Sequence, residues 1–189
     1  MTTTTSYGTW SNQVSTFSMS PDADVLDFIN GGDPDWRELL EKSGALDEIQ
    51  HAYRYAIENA LPAGVSLCGD EFIGPWQPEA DEFDGYPVDE DGNLDFAACV
   101  EDIDLAEIVE RHDPLTLEDI GRDELKSTAR EPSKAASKAM SRLGVKAFYH
   151  GPHPESGRAQ SYFRAGEVRD ALAARPGHGN RTRRGGVQA

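Results

Sequence analysis

The chain has 189 residues, with 34 Asp+Glu against 18 Lys+Arg and a formal net charge of -16. That length suffices for one full domain or two small ones with a real core. The hydrophobic share of 38% is low beside the globular norm of roughly 45–50% counted with Gly, so long exposed stretches are expected. With no apolar run near the ~20 residues of a bilayer span and no signal-peptide pattern at the start, a soluble, cytoplasmic protein is expected, without a membrane partner.

Residues 1–20 are rich in Thr and Ser and are expected to start disordered, with Tyr7, Trp10 and Phe17 available as anchors. The stretch "GGDPDWRELLEKSG" reads as loop then helix: Asp33 caps, Pro34 takes the first helical position and Gly44 stops it. A second helix follows in "ALDEIQHAYRYAIENALP". Leu46, Ile49, Tyr53, Ala56, Ile57 and Ala60 recur at three and four and share one face, and Pro62 ends it. Residues 63–75 alternate weakly and read as a short strand with a Gly turn. Residues 76–93 form a loop rich in Pro, Gly and acid. Residues 94–112 return to helical spacing, and Asp104 with Glu107 opens a short helix in the manner of a capping box. A boundary is placed near 113–116.

The charge changes across that boundary. Residues 1–125 hold 30 Asp+Glu against 5 Lys+Arg, and residues 126–189 hold 4 against 13. An acidic body (21–113) is thus followed by a basic unit (114–175) and a Gly- and Arg-rich tail (176–189) that is expected to be disordered. Such asymmetry points toward nucleic acid or a charged tail.

In the basic unit Thr116 is an N-cap candidate for a helix of about ten residues. "STARE" turns the chain. Pro132 opens a further helix and Gly144 closes it. "VKAFYH" and "AQSYFR" read as strands joined by "GPHPESGR", and 165–175 reads as a closing helix. Residues at i and i+4 share a helix side. Lys134, Lys138 and Arg142 therefore form one stripe, with Ser133, Ser137 and Ser141 beside it, while Ala136, Met140 and Leu143 face a core. Lys and Arg neutralise phosphates and Ser donates to phosphates or base edges. A solvated amphipathic helix would show the same pattern. The order of helix, turn, helix, hairpin and helix is that of a small winged helix-turn-helix. In it Arg158, with His150 and His153, would sit on the hairpin loop, suited to a minor groove. Arg181, Arg183 and Arg184 would hold phosphates without reading sequence.

"RLGVKAFYHGPHPESGRAQSYFRAGEVRDAL", 142–172, resembles the wing and closing helix of excisionase-like and MerR-like DNA-binding proteins. The likeness lies in Leu143-Gly144-Val145, Tyr162-Phe163-Arg164 and Glu167-Val168-Arg169, and covers about a sixth of the chain. In that family the L-G-V turn leads into the reading helix. Here it is expected to lead into a strand, which moves the reading role to 132–143. The whole chain also looks like uncharacterised proteins of actinobacterial phages and integrative elements, and that likeness implies a mobile-element setting.

Enzyme chemistry finds little support. Cys68, Asp70 and Glu71 lack a marked base and orienting group, and His51 and His112 stand alone in sequence. Residues 89–95 only partly match a calcium loop, and His150 with His153 lacks further ligands. Cys68 and Cys99 read as two small buried thiols. No cofactor, metal or reaction is expected. The expected class is α+β: a mostly helical acidic body with a small C-terminal winged-helix-like unit that binds double-stranded DNA. The alternative is an acidic protein-interaction or DNA-mimic protein, of the anti-restriction kind, with a basic protein as its partner.

Overall fold

The computed structural model describes Tyr7–Thr9, 19–63, 65–68, 71–75, 85–88, residue 90 and 94–175. The chain is a mixed α+β protein with two three-stranded antiparallel sheets. Its elements are β1 (Tyr7–Thr9), α1 (Pro21–Asn30), α2 (Pro34–Ser43), α3 (Ala45–Ala60), β2 (Ser66–Cys68), β3 (Glu71–Pro75), α4 (Phe96–Val100), α5 (Leu105–His112), β4 (Pro114–Thr116), α6 (Leu117–Asp119), a π-helical turn (Ile120–Glu124), α7 (Pro132–Leu143), β5 (Tyr149–Pro152), β6 (Ala159–Arg164) and α8 (Ala165–Ala173). Among the described residues no helix is long and apolar enough to cross a membrane.

The helix boundaries follow local chemistry. Asp33 accepts the Asp35 N–H at 2.8 Å and starts α2 beside Pro34. Asp95 and Asp104 cap α4 and α5 in the same way. α3 buries Ala45, Ile49, Tyr53 and Ile57, the last three from the expected stripe, whose Leu46, Ala56 and Ala60 are half-buried. These pack with Val25 and Ile29 of α1, Leu40 of α2, Phe96 and Val109 into the larger of two buried clusters. α1 has no counterpart among the predicted elements, although Pro21, Val25 and Ile29 fall four apart on its buried side. The strand expected within 63–75 is a hairpin of β2 and β3, with Leu67 opposite Phe72. β1, inside the stretch expected to start disordered, pairs with β3. Trp10, Phe17 and most of the loop 76–93 lie outside the described residues.

The second cluster joins Ile120, Ala136, Ala139, Met140, Phe163 and Val168. Its sheet runs β4-β6-β5, with Leu115 opposite Phe163 and Tyr149 opposite Tyr162. Two expectations are corrected. The helix expected after Thr116 does begin there: Thr116 and Asp119 form a full capping box, with Thr116 Oγ1 donating to Asp119 Oδ2 at 2.6 Å. After three residues, however, it widens into the π turn, where the Leu125 N–H reaches Ile120 O at 2.9 Å. The widened turn places two successive residues, Ile120 and Gly121, in the interior. The strand expected over 145–150 starts later, at Tyr149. The Val145 N–H is taken by Met140 O at 3.1 Å in the end of α7, so cross-strand pairing begins only with the Phe148 N–H to Tyr162 O, at 2.9 Å.

The two clusters meet through specific contacts. The Trp36 indole N–H donates to Asp113 Oδ1 at 2.7 Å. Burial pushes the Asp113 carboxyl above the usual range, and the Trp36 hydrogen bond works against that rise. Arg164, leaving β6, grips Glu48 of α3 with two N–H groups, one of them at 2.7 Å. Its guanidinium also lies 4.4 Å from the Phe148 ring centre. The Arg164 hydrogen bond holds the Glu48 carboxyl below its ordinary 4.5. A lowered folded-state value means the stabilisation is complete above 4.5 and fades as pH falls through the depressed value. The pair is half-exposed, so Glu48→Gln is expected to cost about 1 kcal/mol at neutral pH. Denaturant titrations of the two proteins should differ at pH 7 and converge in acid.

Candidate nucleic-acid interface

α7 is built to present two chemically distinct sides. Pro132 opens it. Gly144 closes it at φ 73°, a left-handed conformation in which a Cβ would be strained. At 100° per residue, Ala136, Ala139 and Met140 point one way and are buried. Lys134, Ser137, Lys138, Ser141 and Arg142 point the other way and are exposed. The structure therefore brings all five predicted contact residues of this helix onto one solvent-facing side. Ser133 lies at its edge, half-buried.

Ion pairing separates this surface from the cations of residues 1–125. All five Lys and Arg of residues 1–125 are held by carboxylates: Arg37 by Glu41, Lys42 by Glu38, Arg54 by Asp22, Arg111 by Asp170 and Arg122 by Glu118. Arg169 is held by Glu110 and Glu124. Lys134 meets Glu131 at the helix start. Both of those side chains are well exposed, and such a pair contributes only about 0–1 kcal/mol, so it leaves Lys134 open to a phosphate. Among the described residues, Lys138 and Arg142 have no carboxylate within ion-pair distance, nor do Lys126, Arg130 and Lys146 around the helix. These last three escaped the sequence reading. The signal was present: Lys or Arg recurs every fourth residue from Lys126 to Lys146, with Glu131 as the one acid in that stretch. Positions outside the helix, though, give no reason from spacing alone to share its exposed side.

The hairpin is a separate matter. Its turn is tightly made: the His153 N–H donates to Arg158 O and the Gly157 N–H to His153 O, both at 2.8 Å. The His153 Nδ1 accepts from the Glu155 and Ser156 N–H groups at 3.2 and 3.4 Å. Arg158 is exposed, but it lines an open cleft of about 730 Å³ that it shares with Asp33, Asp35, Glu118, Asp119 and Glu155. No residue of α7 lines that cleft. Arg181, Arg183 and Arg184 lie outside the described residues.

The residues weighed for catalysis or metal binding are placed apart or engaged. His112 shares a shallow depression with His51, Asp47, Glu48, Arg164 and Glu167. Its Nδ1 is bound to Ile108 O at 2.8 Å, and Glu48 is committed to Arg164. His150 Nδ1 meets Ser161 Oγ at 3.0 Å. Burial raises the half-buried Cys99 thiol, which makes it a poor nucleophile. Asp70 and the side chains of Cys68 and Glu71 lie outside the described residues. Among the described residues no group of three or more His, Cys, Asp or Glu is arranged to hold a metal ion.

No family model, curated protein or solved structure matches this chain.

Proposed function

We propose that this protein binds double-stranded DNA through the outer side of α7, as a non-enzymatic regulatory or accessory factor of a mobile genetic element. The carrying observation is the exposed Lys138 and Arg142, without carboxylate partners among the described residues, on a helix whose other side is buried. Every cation of residues 1–125 has a carboxylate within ion-pair distance, while among the described residues Lys138 and Arg142 have none. The order of strand β4, the α6 and π-turn segment, α7, the β5–β6 hairpin and α8, with β6 central in the sheet, supports a winged-helix-like reading of this unit. The mobile-element setting rests on the likeness of 142–172 to excisionase-like and MerR-like proteins.

A net charge of -16 works against a polyanion, but only at range. The Debye length is about 8 Å at physiological ionic strength, so a duplex against α7 senses the local cations more than distant carboxylates. Lys134, Lys138 and Arg142 supply phosphate contacts, and Ser137 and Ser141 donate to phosphates or base edges. With three cations each neutralising a phosphate, affinity for a random duplex is expected to fall about 40-fold between 50 and 200 mM salt. Replacing Lys138 and Arg142 together by Ala should flatten the slope of log affinity against log salt by about 2. Fluorescence anisotropy at several salt concentrations measures both. A chain that ignores duplex yet displaces it from a basic DNA-binding protein would instead be a DNA mimic.

A further inference from the structure

We propose, resting on the DNA-binding reading above, that the duplex-contacting surface is a tract from Lys126 and Arg130 through α7 to Lys146, and that the docked acidic body keeps Arg158 out of it. Two observations meet here. The first is the reach of the tract. α7 spans Pro132–Leu143, about 18 Å at 1.5 Å per residue, while the major groove is about 12 Å wide. A helix of that length laid across the groove brings its ends to opposite phosphate rims. Arg130 stands two residues before Pro132 and Lys146 two residues after Gly144. Both are exposed and, among the described residues, without an ion-pair partner. The chain thus carries a free cation at each end of the helix, where the rims would lie.

The second observation is the setting of Arg158. Its cleft holds five carboxylates, Asp33, Asp35, Glu118, Asp119 and Glu155, against Arg122 and Arg158, a formal balance of -3. Asp33, the N-cap of α2, and Asp35 of α2 belong to the body and supply two of these three net negative charges, while Glu118, Asp119 and Glu155 belong to the unit itself. The body is held against the basic unit by the Glu48–Arg164, Arg111–Asp170 and Glu110–Arg169 ion pairs. A phosphate approaching Arg158 meets these carboxylates well inside a Debye length. The hairpin is therefore electrostatically shut while the body is docked, and binding falls to the α7 tract.

The test is anisotropy of a short random duplex with the full chain between 50 and 200 mM salt. Arg130→Ala and Lys146→Ala should each lower affinity at least about threefold and flatten the salt slope by about 0.9. Arg158→Ala should leave both unchanged. All three positions are exposed, and matching thermal melts would show that the fold is retained. An Arg158→Ala loss as large as that of Arg142→Ala would overturn the proposal. So would full binding by the Arg130→Ala/Lys146→Ala double variant. If the wild-type chain itself shows no salt-dependent binding, the DNA reading falls and this inference with it.

Discussion

Gly121→Ala is expected to destabilise the protein by about 3 kcal/mol and to abolish duplex binding at temperatures where the wild type binds. Gly121 lies in the interior of the π turn. A Cβ there would stand 2.5 Å from both the carbonyl carbon and the oxygen of Pro132, and 2.7 Å from its Cβ. Two of these three atoms are backbone, so no side chain can swing aside. Relief requires moving the start of α7 or unwinding the turn. Either movement disturbs the Ser127 N–H to Gly121 O hydrogen bond at 2.9 Å and the packing of Ile120 beneath Ala136 and Met140. Overpacked cores cost about 1–3 kcal/mol when neighbours can adjust, and here the neighbours are main chain. Denaturant midpoints measure the loss. A midpoint within a few tenths of a kcal/mol of wild type would mean that α7 is not seated on this turn.

Met140→Ala and Arg142→Ala should act on the same helix in opposite ways. Met140 is 2% exposed and sits in the cluster with Ile120, Phe163 and Val168. Removing its side chain leaves a cavity, and Met→Ala in a core costs about 2–5 kcal/mol. The outer cations are untouched, so the fraction that stays folded should bind duplex with near wild-type affinity. Arg142 is exposed and, among the described residues, makes no ion pair. Its removal should shift stability by less than about 0.5 kcal/mol while weakening duplex binding and lowering its salt dependence. Chemical denaturation and anisotropy on both variants separate the effects. If Arg142→Ala destabilises as Met140→Ala does, the outer side of α7 serves the fold and the DNA reading loses its support.

The sheet of the basic unit bears on which parts of this molecule could be read early. "AQSYFR" reads as a strand by its aromatics and becomes β6 over the expected residues. β4 is three residues, Pro114–Thr116, too short to show alternation, and it exists because β6 supplies a partner. The sequence stretch was instead legible as a cap, and Thr116 does serve as that cap as well. The same division runs through α7. Its stop at Gly144, its apolar side and its cationic side follow from 3.6-residue periodicity. The π turn that seats it follows from close packing of Gly121 on Pro132, which no local pattern announces.

Local chemistry along the chain specifies the helices α2, α3, α5 and α7, the Asp caps of α2 and α5, and the sorting of acid toward one end and base toward the other. These are matters of near neighbours: a capping side chain reaches two or three residues, and helix sides repeat within one turn. Which cations of the C-terminal part meet carboxylates depends on long-range packing. Arg164 reaches Glu48 and Arg169 reaches Glu110 across long sequence separations, and Arg158 shares a cleft with α2 carboxylates. Charge acts through space and falls off within a Debye length. The free cations of α7 are therefore defined by what folds beside them, and composition alone could not single them out.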